Sequence, residues 1–145
     1  MNLAFFAFAM SMNIENYSQE MSWDNPPLVI LCDNQSSFTQ EQVEFALRSW
    51  NMPQEKIVVR NKCNYRQKRG TIKIIDGLKI DLNTQWGLTS YRFVNKKDKK
   101  ILTSAIVKID NRSQNINLLI HELGHAFGFL HYDNEEDVMN TQNVY

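Results

Sequence analysis

Residues 121–131 read His-Glu-Leu-Gly-His-Ala-Phe-Gly-Phe-Leu-His, and this stretch restricts the fold more than any other part of the chain. Carried on one helix, His121 and His125 stand one turn apart on the same face, so both rings can grip one metal ion. A helix that simply continued would carry His131 roughly 15 Å beyond His121 along the axis and off that face. His131 joins the pair only if the helix stops and the chain doubles back. Gly128 permits this, because glycine adopts the left-handed conformation that closes helices at little steric cost. Three neutral nitrogen ligands with a fourth position open form the pattern of a catalytic zinc site. Glu122 is poorly placed to bind the metal itself but can reach a water held there. The three histidines of this stretch are the only ones in the chain.

The pattern H-E-x-x-H-x-x-G-x-x-H resembles the long zinc signature of the metzincin metallopeptidases. Asp137-Val138-Met139-Asn140 adds a second likeness: a methionine in a tight turn, eight residues after His131, as in the matrixin branch. The close match covers residues 121–131 and Met139; a looser one, in the order of elements, covers about 28–145.

The resemblance implies a zinc-dependent endopeptidase with one catalytic Zn2+ held by His121, His125 and His131. Met139 would form an apolar floor beneath the imidazoles, and Gly128 the structural turn. Zinc lowers the pKa of a bound water from about 15.7 toward 7. Glu122 would act as general base, taking the proton from that water and passing it to the leaving amine. The implied fold class is α/β (α+β), a metzincin-like zincin. Its twisted sheet is mixed but mostly parallel, with a strand–helix–strand unit at the start and an active-site helix. A protein or peptide substrate would bind in extended form along an antiparallel edge strand, placed here within 88–109.

The chain differs from matrixins in several respects, two of them close to the zinc signature. Tyr132 follows the third histidine, and Asn140 and Thr141 stand where an aromatic–proline wall shapes the specificity pocket. Other functions use the same residues: a zinc-containing binding or structural module without turnover, or a zinc amidase acting on a non-protein substrate. An intact Glu122 favours turnover, since a pure binding role does not require that carboxylate.

The rest of the chain frames this site. At 145 residues and 17.0 kDa it has the size of one domain with a working core. Residues 1–27 read as an apolar, then acidic N-terminal segment, and 28–145 as a minimal catalytic domain. The apolar run 1–10 is too short to span a bilayer. With Ala7-Phe8-Ala9 it has the outline of a secretory leader, which would place the protein outside the cell, but no basic residue precedes it. Residues 11–27 read as linker. All sixteen basic residues lie in 48–112, against five acidic ones. No nucleic-acid motif accompanies them, so they read as a solvated surface. No nucleic-acid or membrane partner is indicated, and a monomer is the default. Cys32 reads first as a buried core thiol. Cys63 follows the next strand of parallel type, which leaves a disulfide open.

Leu28–Cys32 is an apolar run expected as a buried strand. Thr39 and Gln42 form a capping-box pattern opening a helix over 39–51, with Val43, Ala46, Leu47 and Trp50 on one face and Pro53 marking its end. Ile57–Arg60 completes a strand–helix–strand unit in a parallel pair. Residues 71–75 and 78–82 are β-like around an Asp76-Gly77 turn, and 88–94 and 101–109 are β-like around a charged loop at 95–100. The active-site helix follows a polar, cap-rich loop and ends near Phe127.

Overall fold

The computed structural model describes residues 18–32, 38–52, 57–60, 63–64, 66–76, 86–110, 113–131 and 139. Among these residues the elements are β1 (Met21–Ser22), β2 (Leu28–Cys32), α1 (Gln40–Ser49), β3 (Ile57–Arg60), β4 (Thr71–Asp76), β5 (Gly87–Lys96), β6 (Lys99–Ile109) and α2 (Ile116–Ala126). Pro53, Gly77, the strand expected over 78–82, the apolar run 1–10, and Asp137, Val138 and Asn140 around Met139 lie outside them.

The strands form one mixed, mostly parallel sheet in the order β1-β6-β4-β2-β3, with β5 also on β6. β2 pairs parallel with β3, as the strand–helix–strand unit anticipates, and with β4 on its other side. β5 runs antiparallel along β6 from Gly87 opposite Ile109 to Lys96 opposite Lys99. β1 and β4 therefore share the other side of β6, β1 at Lys100 and Ile101 and β4 from Ser104 onward. β5 has no second strand partner among the described residues, which makes it the antiparallel edge. The charged loop expected at 95–100 is instead a two-residue turn. Lys97 and Asp98 both have positive φ, at 50° and 63°, the combination that joins right-twisted strands tightly.

The helices form where local chemistry favours them. At the start of α1 the Thr39 side chain accepts from the Gln42 N–H at 3.2 Å, and Gln42 Oε1 accepts from the Thr39 N–H at 2.9 Å. Asn51 closes the helix with φ 58°, and the Met52 N–H bonds back to Leu47 O. The stripe Val43, Ala46, Leu47 and Trp50 is buried, as expected, against the sheet and α2. In α2, Leu118, Leu119 and Leu123 are fully buried, each contributing about 1.5–3 kcal/mol of apolar transfer energy. Both helices belong to one core cluster with Val29, Leu31, Ile72, Ile74, Ala105 and Val107 of the sheet.

A smaller cluster of Ile30, Cys32, Ile75 and Ile106 lies apart from that core, with Leu28 and Cys63 packed on it. Here Cys32 is bonded to Cys63, with Cα atoms 5.8 Å apart, so Cys32 is a half-cystine rather than a free thiol. Lys73 is buried nearby and donates to Asn64 Oδ1 at 3.0 Å and Arg66 O at 2.6 Å. Desolvation, and then the charge of Lys68, hold its ammonium pKa below the ordinary value. The disulfide closes a loop of 31 residues, and a chain-entropy account assigns it about 3–4 kcal/mol. Cys63→Ser is therefore expected to lower the urea-unfolding free energy by about that amount, with wild type under reducing conditions showing the same loss. An unchanged midpoint would mean that the back of the sheet holds without the bridge.

Candidate metal centre

α2 begins at Asn115, whose side chain accepts from the Asn117 N–H at 3.0 Å. It carries His121, Glu122 and His125, and past its cap at Phe127 it is closed by Gly128, where φ is 95°. The reversal is a hydrogen-bonded motif: Gly128 N–H donates to His125 O and Phe129 N–H to Gly124 O, both at 2.9 Å. A side chain at 128 would also be excluded by contact, since its Cβ would lie 2.0 Å from Met21 O. The turn returns His131 to the helix face.

The three rings converge through their Nε2 atoms. His125 Nε2 stands 3.1 Å from His121 Nε2 and 3.0 Å from His131 Nε2. His121 is fully buried, His125 half-buried and His131 exposed, so the cluster runs from core to solvent. His125 Nδ1 lies 2.9 Å from Phe129 O. A carbonyl oxygen only accepts, so Nδ1 carries the proton and Nε2 presents a lone pair. That one lone pair faces two other ring nitrogens, an arrangement a cation resolves. Imidazoles about 2.0–2.1 Å from one tetrahedral metal ion stand roughly 3.3 Å from one another, close to the spacing found. Desolvation on the side of the ring turned to the cluster is the larger cause that holds the His131 pKa below its ordinary value, which favours the neutral ring that ligation needs. The donor set and its geometry thus suit a metal ion held by His121, His125 and His131.

Glu122 stands outside this converging set and is 2% exposed. The Thr89 hydroxyl on β5 lies 2.6 Å from Glu122 Oε2 and 2.9 Å from Glu122 O. Gly87, two residues earlier on the same strand, matters for a related reason. A Cβ there would come within 3.0 Å of Glu122 Cγ and 3.1 Å of Oε1. The edge strand and the carboxylate are thus packed against each other, with glycine at the closest approach.

Met139 is fully buried in the core. It packs on Gly124, where an added Cβ would meet Met139 Sδ and Trp50 Cζ2 at 2.6 Å. Since Gly124 lies between His121 and His125 on α2, Met139 sits directly against the turn that carries both histidines. Trp50 supports the same turn from α1, donating its indole N–H to Ile120 O at 2.9 Å and stacking on Phe129 with ring centroids 4.8 Å apart.

The motif therefore accounts for His121, Glu122, His125, Gly128 and His131, but not for Gly87, Thr89, Trp50 or Gly124. Gly124 carries a readable signal, because a glycine inside a helix costs about 1 kcal/mol and calls for a packing reason. Gly87 and Thr89 are ordinary strand residues with no local mark. One further set of contacts was not anticipated. Residues 11–27 were expected as linker, yet from Ser18 they lie along the end of α2 and enter the sheet as β1.

Compared with known protein families, curated proteins and solved structures, the chain matches none.

Proposed function

We propose that the chain is a zinc-dependent endopeptidase of metzincin-like, matrixin-like type. The observation that carries this reading is the convergence of three Nε2 atoms, two of them from the helix that also carries Glu122, with the edge strand β5 packed on that carboxylate. When bound, zinc supplies a Lewis acid and makes a water nucleophilic at neutral pH. The residues of the chain do the rest. His121, His125 and His131 hold the ion, and the His125 Nδ1–H bond to Phe129 O keeps one ring in its ligating tautomer. Glu122 takes a proton at its carboxylate and releases it to the leaving amine. Thr89 fixes the carboxylate by its bond to Oε2.

β5 offers an extended peptide a place to add as a further strand. Its outer edge has no strand partner among the described residues, and Trp86, Leu88 and Tyr91 are each more than one-third exposed along it. Main-chain pairing at this edge brings a scissile bond beside Glu122 with little demand on side-chain sequence.

The full chain is expected to bind one zinc and to cleave unstructured protein or a peptide library. A strong chelator should abolish that cleavage and added zinc should restore it. A folded, zinc-loaded chain that leaves broad peptide libraries intact would instead assign the site to a non-catalytic module.

A further inference from the structure

Residues 18–24 cross the end of α2 and occupy the backbone groups that a helix leaves unsatisfied there. Trp23 Nε1–H donates to Ala126 O at 2.9 Å, Gln19 Nε2–H to Phe127 O at 3.0 Å, and the Glu20 N–H to Gly128 O at 2.9 Å. In the other direction, the Leu130 N–H donates to Ser18 O at 3.0 Å, and Gln19 and Phe129 form an antiparallel bridge. The same segment is anchored on the β5–β6 hairpin. Glu20 pairs with Lys100 at 3.0 Å and Asp24 with Lys96 at 3.3 Å, both at the surface.

These contacts fall on the residues that place two of the three histidines. Phe129 O is the acceptor for His125 Nδ1–H, and Phe129 is the residue bridged by Gln19. Leu130, held by Ser18, immediately precedes His131. The helix contributes the Phe127, Gly128 and Phe129 N–H bonds to this reversal, and the strap adds its own set across 126–130. Orientation of the outer ligands therefore depends on a segment more than 100 residues away in the chain.

We propose that residues 18–24 are a positioning strap for the metal centre. Gln19 and Trp23 set the path of 126–130, and through it the ring of His125 and the return of His131. Integrity of the N-terminal segment then controls metal affinity although it supplies no ligand. This inference rests on the metal-binding half of the proposed function. Its readout is metal affinity, so it is decided whether or not the loaded chain cleaves peptides.

The test is the full chain carrying Gln19→Ala with Trp23→Phe, which removes both side-chain donors and keeps an aromatic ring at 23. Zinc affinity is measured by competition with a chromophoric chelator. The absorption of the cobalt-substituted protein reports coordination, and circular dichroism and the thermal midpoint report the fold. The expected result is a loss of about 10- to 100-fold in zinc affinity, the range found when groups that orient metal ligands are removed. The cobalt spectrum should change while helix content stays the same. In a His131→Ala background the same pair should cost far less, because much of its effect runs through that ligand. Unchanged zinc affinity with an unchanged cobalt spectrum overturns the proposal, as does an equal loss in both backgrounds. If the double variant loses its helix signal, Trp23→Phe alone removes one donor. It is judged by the same two readouts, with an expected loss near the lower end of that range.

Discussion

Glu122→Gln is expected to reduce peptide hydrolysis by about 10²–10⁴-fold while one zinc per chain is retained. The carboxylate lies outside the group of converging ring nitrogens, so its loss does not remove a ligand. Glutamine has nearly the same shape and keeps an oxygen for the Thr89 hydroxyl, now 2.6 Å from Oε2, so packing under β5 is preserved. What it loses is the capacity to take a proton, so the loss should appear in kcat, with KM close to wild type. Steady-state kinetics on one peptide, with elemental analysis of the same sample, separates base from ligand. Hydrolysis within about ten-fold of wild type at full zinc occupancy would remove Glu122 from its assigned role.

Gly128→Ala is expected to cost about 3–4 kcal/mol of stability. Two terms add. A non-glycine residue held in the left-handed region costs roughly 1–2 kcal/mol, and Gly128 has φ 95°. The second term is contact. The new Cβ would lie 2.0 Å from Met21 O and 2.6 Å from Met21 C, both backbone atoms that no rotamer change can move aside. The strap must shift, with loss of bonds such as Glu20 N–H to Gly128 O, each worth about 0.5–1.5 kcal/mol. Gly70 provides the internal comparison, with φ 80° and nothing within 4 Å of its Cβ position. Gly70→Ala should show the conformational term alone, about 1–2 kcal/mol. Urea unfolding of both variants separates the terms. Equal losses at the two positions would mean that the strap yields to the extra carbon at no cost.

Several parts of the architecture were legible because their causes are local. The capping box at Thr39 and Gln42, the apolar stripe of α1, the run of β2 and the stop at Gly128 each depend on residues within a few positions of one another. The parallel pairing of β2 with β3 followed from the order of the first elements, whereas the mixed sheet was an expectation from the resemblance; the antiparallel edge, Gly87–Lys96, begins one residue before the stretch 88–109 given for it. The turn at Lys97 and Asp98 was harder to read, because Lys97 does not favour positive φ and no glycine follows it; strand pairing on both sides imposes the turn. The linker reading of 11–27 rested on polar composition and missed β1, a two-residue strand too short to leave a periodic pattern.

The sequence by itself determined the chemistry available to the site: two imidazoles and one carboxylate at helical spacing, a third imidazole beyond the helix, and a glycine that ends the helix in time for that third ring to return. Tertiary structure alone decided what holds those groups in place. Thr89 meets Glu122 across 33 residues, Trp50 meets Ile120 across 70, and Trp23 meets Ala126 across 103. Such contacts are set by which strands become neighbours in the sheet, and that order minimises exposed apolar surface over the whole chain. No short window of residues encodes it, because the gain is realised only once the distant segments have come together.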